Sequence, residues 1–144
     1  LLVLTAVERR GRRPRPLTFR LWGALAAAKY GCRKIAKDGS FTLTSGMLAH
    51  RPMKAAAIGG AVELLTRGLA VDLVPVRVNA VCPGIIRTKH TEQTKPAERL
   101  QAFVAPLPLS RAGSPADAVQ AYVYLMLNAD ACHILPVDDG GLLV

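Results

Sequence analysis

The chain has 144 residues, of which 51% are hydrophobic and 20% charged, a balance that allows one globular domain and excludes an intrinsically disordered chain. No apolar run approaches the roughly 18 residues that a membrane-spanning helix needs, so no membrane segment is expected. The formal net charge of +9 is concentrated in Arg9, Arg10, Arg12, Arg13, Arg15 and Arg20.

Such an arginine cluster can hold nucleic acid through counterion release. Pro14 and Pro16 interrupt it, however, and no aromatic residue is interleaved before Phe19, so nucleic acid is not the expected partner. Residues 1–20 are therefore expected to include an irregular Arg/Pro-rich segment. Cys32, Cys82 and Cys132 lie far apart with no CxxC spacing, which argues against a zinc site or a disulfide framework. The expectation is no metal, and reduced thiols in a cytoplasmic protein.

In chain order, Leu2 to Ala6 is a short apolar run suited to a buried parallel strand. The abrupt start, without methionine, suggests a fragment of a longer product. Leu21, Leu25, Ala28, Cys32 and Ile35 recur at helical spacing and predict one buried stripe. Lys29, Arg33, Lys34 and Lys37 then load the helix's final turns, with Asp38-Gly39 as the stop. Phe41 to Thr44 reads as a strand. Gly60 to Leu73 reads as a second helix, with Ala61, Leu65, Leu69 and Leu73 on one face and Glu63 and Arg67 as an i,i+4 ion pair. Val76 to Cys82 is a valine-rich strand ended by Pro83-Gly84. Residues 85–112 read as a long loop with one helical turn near Ala97 to Phe103. Ser114-Pro115-Ala116-Asp117 is a capping signature that opens a helix bearing Ala118, Tyr122 and Leu125, and His133 to Val137 is a last strand. The alternation implies an α/β protein with a parallel sheet and helices on both faces.

Three stretches together resemble the short-chain dehydrogenase/reductase family. Glu63-Leu64-Leu65-Thr66-Arg67-Gly68-Leu69-Ala70-Val71-Asp72-Leu73, running on to Val76-Arg77-Val78-Asn79-Ala80-Val81-Cys82-Pro83-Gly84-Ile85-Ile86-Arg87-Thr88, is similar to its "LTRxLAxEL…xRVNxVxPGxxxT" block. Phe41-Thr42-Leu43-Thr44-Ser45-Gly46 is similar to the strand that delivers a catalytic serine. Arg111 to Asp117 and Val137 to Gly141 are similar to the "RxGxPxDvA…vDGG" ending. The resemblance implies a Rossmann-type parallel sheet, truncated to its C-terminal half, strands 4-5-6-7 of the order 3-2-1-4-5-6-7. Residues 1–144 would form a partial NAD(P)-binding domain.

The family's chemistry moves a hydride between NAD or NADP and a small carbonyl or alcohol. Ser45 matches its serine, and Pro83, Gly84, Ile86 and Thr88 match the turn that meets the nicotinamide. Other positions depart from the pattern. No GxxxGxG is present, the tyrosine and lysine positions fall on Ala55 and Gly59, and the asparagine position on Arg20. Weak or absent turnover by this chain is the expectation. Tyr30, Tyr122 and Tyr124 are expected to pack, Lys54, His50 and His90 to be solvated loop residues, and His133 to be structural. A homo-oligomer built on the helices near Leu21 and Gly60 is expected, with a non-catalytic dimerising module as the alternative.

Overall fold

The computed structural model describes residues 16–52, 60–129 and 133–144, the side chains of 16–20 excepted. Strands β1 (Ser40–Thr44), β2 (Arg77–Pro83) and β3 (Ile134–Val137) form a sheet of order β1-β2-β3. Both pairings are parallel, with Thr42 opposite Asn79 and Ala80 opposite Ile134. The expected strands at 41–44, 76–81 and 134–137 are all present in the expected direction. The fourth, near Leu2 to Ala6, lies outside the described residues.

β2 is the centre of the sheet, and Val78, Asn79, Ala80, Val81 and Cys82 are all 0% exposed. A parallel strand covered on both faces has no solvent side, which is why its sequence does not alternate. Successive side chains leave the sheet in opposite directions. On one face Ala80 and Leu43 meet Val62 of helix α2 (Ala61–Asp72), with Ala24 of helix α1 (Pro16–Gly31) packed alongside. On the other, Val81 meets Ala121 and Leu125 of helix α5 (Pro115–Leu127).

Several elements differ from the sequence expectation. α1 stops at Gly31, and Cys32–Lys34 form a 3-10 turn rather than a continued α-helix. Glycine is a poor helix former, the turn closes through Ile35 N–H to Cys32 O at 3.2 Å, and Arg33 and Lys34 therefore sit beyond the helix. The face of α2 is rotated from the expected one. Val62, Glu63, Thr66 and Ala70 are its buried residues, while Ala61, Leu65, Leu69 and Leu73 are half-buried flanks. Small residues at positions 66 and 70 let the helix approach the sheet, and Thr66 returns its hydroxyl to Val62 O at 2.7 Å.

The expected long loop contains two helices, α3 (Lys89–Thr94), which the sequence does not predict, and α4 (Ala97–Val104), where it predicts a helical turn near Ala97 to Phe103. α3 is wholly polar and has no apolar stripe to betray it; it forms because the Thr88 side chain accepts from Thr91 N–H at 3.1 Å.

Candidate active site

In an open parallel sheet, ligands bind beyond the carboxyl ends of the strands. β1 ends at Thr44, and Ser45 extends the ladder by one bond, its N–H donating to Val81 O at 2.8 Å. β2 ends beside it at Pro83, and Gly84 N–H donates to Val137 O at 2.8 Å, so the chain turns out of the sheet tied to β3. Ser45 and the Pro83-Gly84 turn thus lie next to each other at the carboxyl ends of adjacent strands.

Alternation places Ser45 on the same face as Leu43, towards α2. There its Oγ donates to Glu63 Oε1 at 2.9 Å, with a longer contact of 3.4 Å to Val81 O. His50 Nε2 meets the same Glu63 oxygen at 3.1 Å. Ser45 and Glu63 are each only 4% exposed, whereas the His50 side chain is 39% exposed and caps the pair from the solvent side. Cys82 completes the group: its Sγ, His50 and a Glu63 oxygen lie within 4.8 Å of one another. Burial pushes the Cys82 thiol up to about 11; the Ser45 hydrogen bond works against that shift, and the Glu63 charge and hydrogen bond add to it.

Two expectations are corrected here. Glu63 does not form a surface pair with Arg67, because the rotated face of α2 turns its carboxylate inward onto Ser45. His50 is not a free loop residue, because the 3-10 turn Met47–Ala49 carries it back over Glu63. The sequence signal that could have found Glu63 was the spacing Val62, Glu63, Thr66, Ala70, an alternative stripe with a carboxylate in it.

The Pro83–Thr88 turn divides in two. Ile86 bridges Gly113 in parallel fashion, with Gly113 N–H donating to Ile85 O at 2.9 Å and Arg87 N–H to Gly113 O at 2.8 Å. In such a bridge the central residue's own N–H points away from its partner. Among the described residues the Ile86 N–H has no protein acceptor, while Ile86 O accepts from the Thr91 hydroxyl at 2.9 Å. A free, outward N–H at this turn fits a nicotinamide carboxamide. Thr88 fits less well, since its hydroxyl is committed to capping α3.

Of the other candidates, Tyr122 packs under the sheet with its hydroxyl 2.6 Å from Thr44 Oγ1, and Tyr30 and Tyr124 are exposed. His90 is exposed on α3, and His133 N–H donates to Asn79 Oδ1 at 3.0 Å. Lys54, Ala55 and Gly59 lie outside the described residues, as does the side chain of Arg20. An open depression of about 640 Å³ lined by Lys37, Asp38, Pro75, Arg77, Leu127 and Ala129 sits at the opposite, amino ends of the strands. There Arg77 is occupied with the carbonyls of Asn128 and Asp38, so the depression is a seam between elements rather than part of the Ser45 site.

Comparison with known proteins agrees with this geometry. A family profile described as enoyl-(acyl carrier protein) reductase matches residues 15–140. The chain is 37% identical over 110 residues to the short-chain dehydrogenase/reductase ATR9 of Stachybotrys chlorohalonatus, covering 71% of this chain and 43% of that protein. It is 34% identical over 134 residues to the short-chain dehydrogenase/reductase ucsE of Acremonium sp, covering 87% and 51%. Among solved structures, a small-chain dehydrogenase in complex with NADPH superposes with a TM-score of 0.80 at 36% identity, over 87% of this chain and 61% of that one. The MalC reductase/Diels-Alderase from Malbranchea aurantiaca gives 0.77 at 31% identity, over 88% and 52%. The chain spans about half the length of the curated relatives it matches. With the parallel sheet, the placement of Ser45 and these matches in hand, the chain belongs to the short-chain dehydrogenase/reductase family.

Proposed function

We propose that this chain is the nicotinamide-facing and substrate-facing part of an NAD(P)-dependent oxidoreductase that interconverts small carbonyl compounds and alcohols. The observation that carries the reading is the juxtaposition of Ser45 with the Pro83-Gly84 turn at the carboxyl ends of adjacent parallel strands. The nicotinamide, when bound, supplies or accepts the hydride. The chain's residues would bind and orient it: the Ile86 N–H would donate to the carboxamide oxygen, and the Pro83-Gly84 backbone sets the turn that presents that N–H. Ser45 holds the substrate oxygen once its hydroxyl swings from Glu63. Thr88 acts indirectly, by ordering α3 next to the turn. A relative bound to NADPH supports NADP as one of the two dinucleotides to test.

Because Ala55 and Gly59 stand in the tyrosine and lysine positions and these 144 residues carry no GxxxGxG, turnover by the chain alone is weak or absent in this reading. General acid catalysis contributes on the order of 10² to 10⁴-fold, so its loss leaves little. A cytoplasmic homo-oligomer is part of the same reading. Fluorescence titration with NADH and NADPH tests it: saturable binding, displaced by nicotinamide mononucleotide, is expected, and no binding of either up to millimolar concentration contradicts it. A cofactor-oxidation assay over a panel of ketones and quinones is expected to stay at background. Turnover that vanishes in Ser45→Ala would show instead that another group supplies the proton.

A further inference from the structure

We propose that His50 Nε2, a Glu63 carboxylate oxygen and the Cys82 sulfur form a mononuclear site for a borderline-soft divalent cation, zinc foremost, with its fourth position open beside Ser45. The donors come from three separate elements, the turn after β1, helix α2 and strand β2, and converge within 4.8 Å. Imidazole nitrogen, carboxylate oxygen and thiolate sulfur are the three donor types zinc takes from proteins, and three protein ligands with one open position is the arrangement of sites that bind water or a ligand oxygen. At ordinary zinc bond lengths, tetrahedral donors lie roughly 3.3–3.7 Å apart. His50 and Glu63, at 3.1 Å, are already near that separation, so closing the site requires only a modest approach to the Cys82 sulfur.

Two further observations point to a cation. Glu63 is a buried carboxylate whose partners among the described residues are Ser45, His50 and Cys82; His50 is the one group there that can carry a positive charge, with no lysine or arginine against the carboxylate. Buried charges are ordinarily paired or bound to metal. Ser45 donates to Glu63 Oε1, the oxygen that His50 also meets, and so orients the carboxylate as hydrogen-bond donors around metal sites do. Binding through sulfur would release the Cys82 thiol proton to solvent, as metal binding by cysteine does. His50, partly exposed, is the entry side. Residues 50, 63 and 82 show no zinc-motif spacing, which is why the site is invisible in the sequence.

The site rests on these residues alone and stands or falls independently of dinucleotide binding. The 144-residue chain is titrated with Co²⁺ and Zn²⁺. Expected are one metal ion per chain by native mass spectrometry and a thiolate-to-cobalt charge-transfer absorption that Cys82→Ser abolishes and Cys32→Ser leaves intact. Glu63→Gln and His50→Gln each weaken Zn²⁺ at least tenfold, and Ser45→Ala weakens it roughly tenfold through the loss of orientation. Circular dichroism confirms that each variant retains the wild-type fold, and the near-isosteric Glu63→Gln provides a second test if Cys82→Ser does not. No thiolate absorption in the wild type, or absorption that survives Cys82→Ser, overturns the proposal.

Discussion

A methyl group on Gly84 would sit 2.7 Å from the Asp138 Cα and 3.0 Å from Met47 Sδ. The first of these is backbone and cannot rotate away, so the glycine is required by the packing of the strand ends rather than by its own backbone angles. Gly84→Ala is expected to cost about 1–3 kcal/mol, the range for overpacking, read as a lowered urea midpoint at unchanged slope. Wild-type stability in that variant would remove the close approach from the account. At this scale the sequence singled out part of the candidate site. Ser45 and Pro83-Gly84 were legible because each sits in a contiguous motif. Glu63 and His50 were not, since their meeting depends on the rotation of α2 about its axis and on the path of the turn after Gly46, neither of which local spacing fixes.

Helix α5 shows what local chemistry does fix. Ser114 Oγ accepts from Asp117 N–H at 3.2 Å while Asp117 Oδ2 accepts from Ser114 N–H at 2.8 Å, and Pro115 occupies the first turn. All of this lies within four residues, so the sequence foretold it, whereas polar α3 offered no periodicity to read. Ser114→Ala is expected to cost about 1 kcal/mol. The backbone and side-chain hydrogen bonds from Ser114 hold the Asp117 carboxyl below the usual 3.8, with Arg111 adding a smaller pull. A carboxyl with a depressed folded pKa stabilises above its unfolded value, and that contribution is lost as pH falls through the folded one. Acid unfolding of the wild type is therefore expected to steepen below pH 3.8, and Asp117→Asn to flatten that limb. Superimposable acid limbs in the two proteins would count against the capping assignment.

Across the molecule, helices cover both faces of the sheet but leave apolar side chains outside. Trp22 of α1 is 64% exposed, and Leu64 and Val71 of α2 are 69% and 75% exposed. In the proposed oligomer a second copy of the chain covers these exposed side chains. Sedimentation at micromolar concentration is expected to show a dimer or larger species, dissociated by Leu64→Glu with Val71→Glu; a stable wild-type monomer would contradict the interface. No described helix is long and apolar enough to cross a membrane. The parallel direction of the strands followed from alternation and crossover rules, and their order from the family resemblance.

The central claim is that ligand chemistry belongs to the carboxyl ends of β1 and β2. Amide chemical-shift mapping during titration with nicotinamide mononucleotide tests it most directly, because that half-cofactor needs no glycine-rich turn. The account predicts shifts at Ser45, Gly84, Ile86 and Arg87, with none at the opposite ends of the strands. Shifts confined to Lys37, Asp38 and Arg77, or no shifts at saturating concentration, would contradict it.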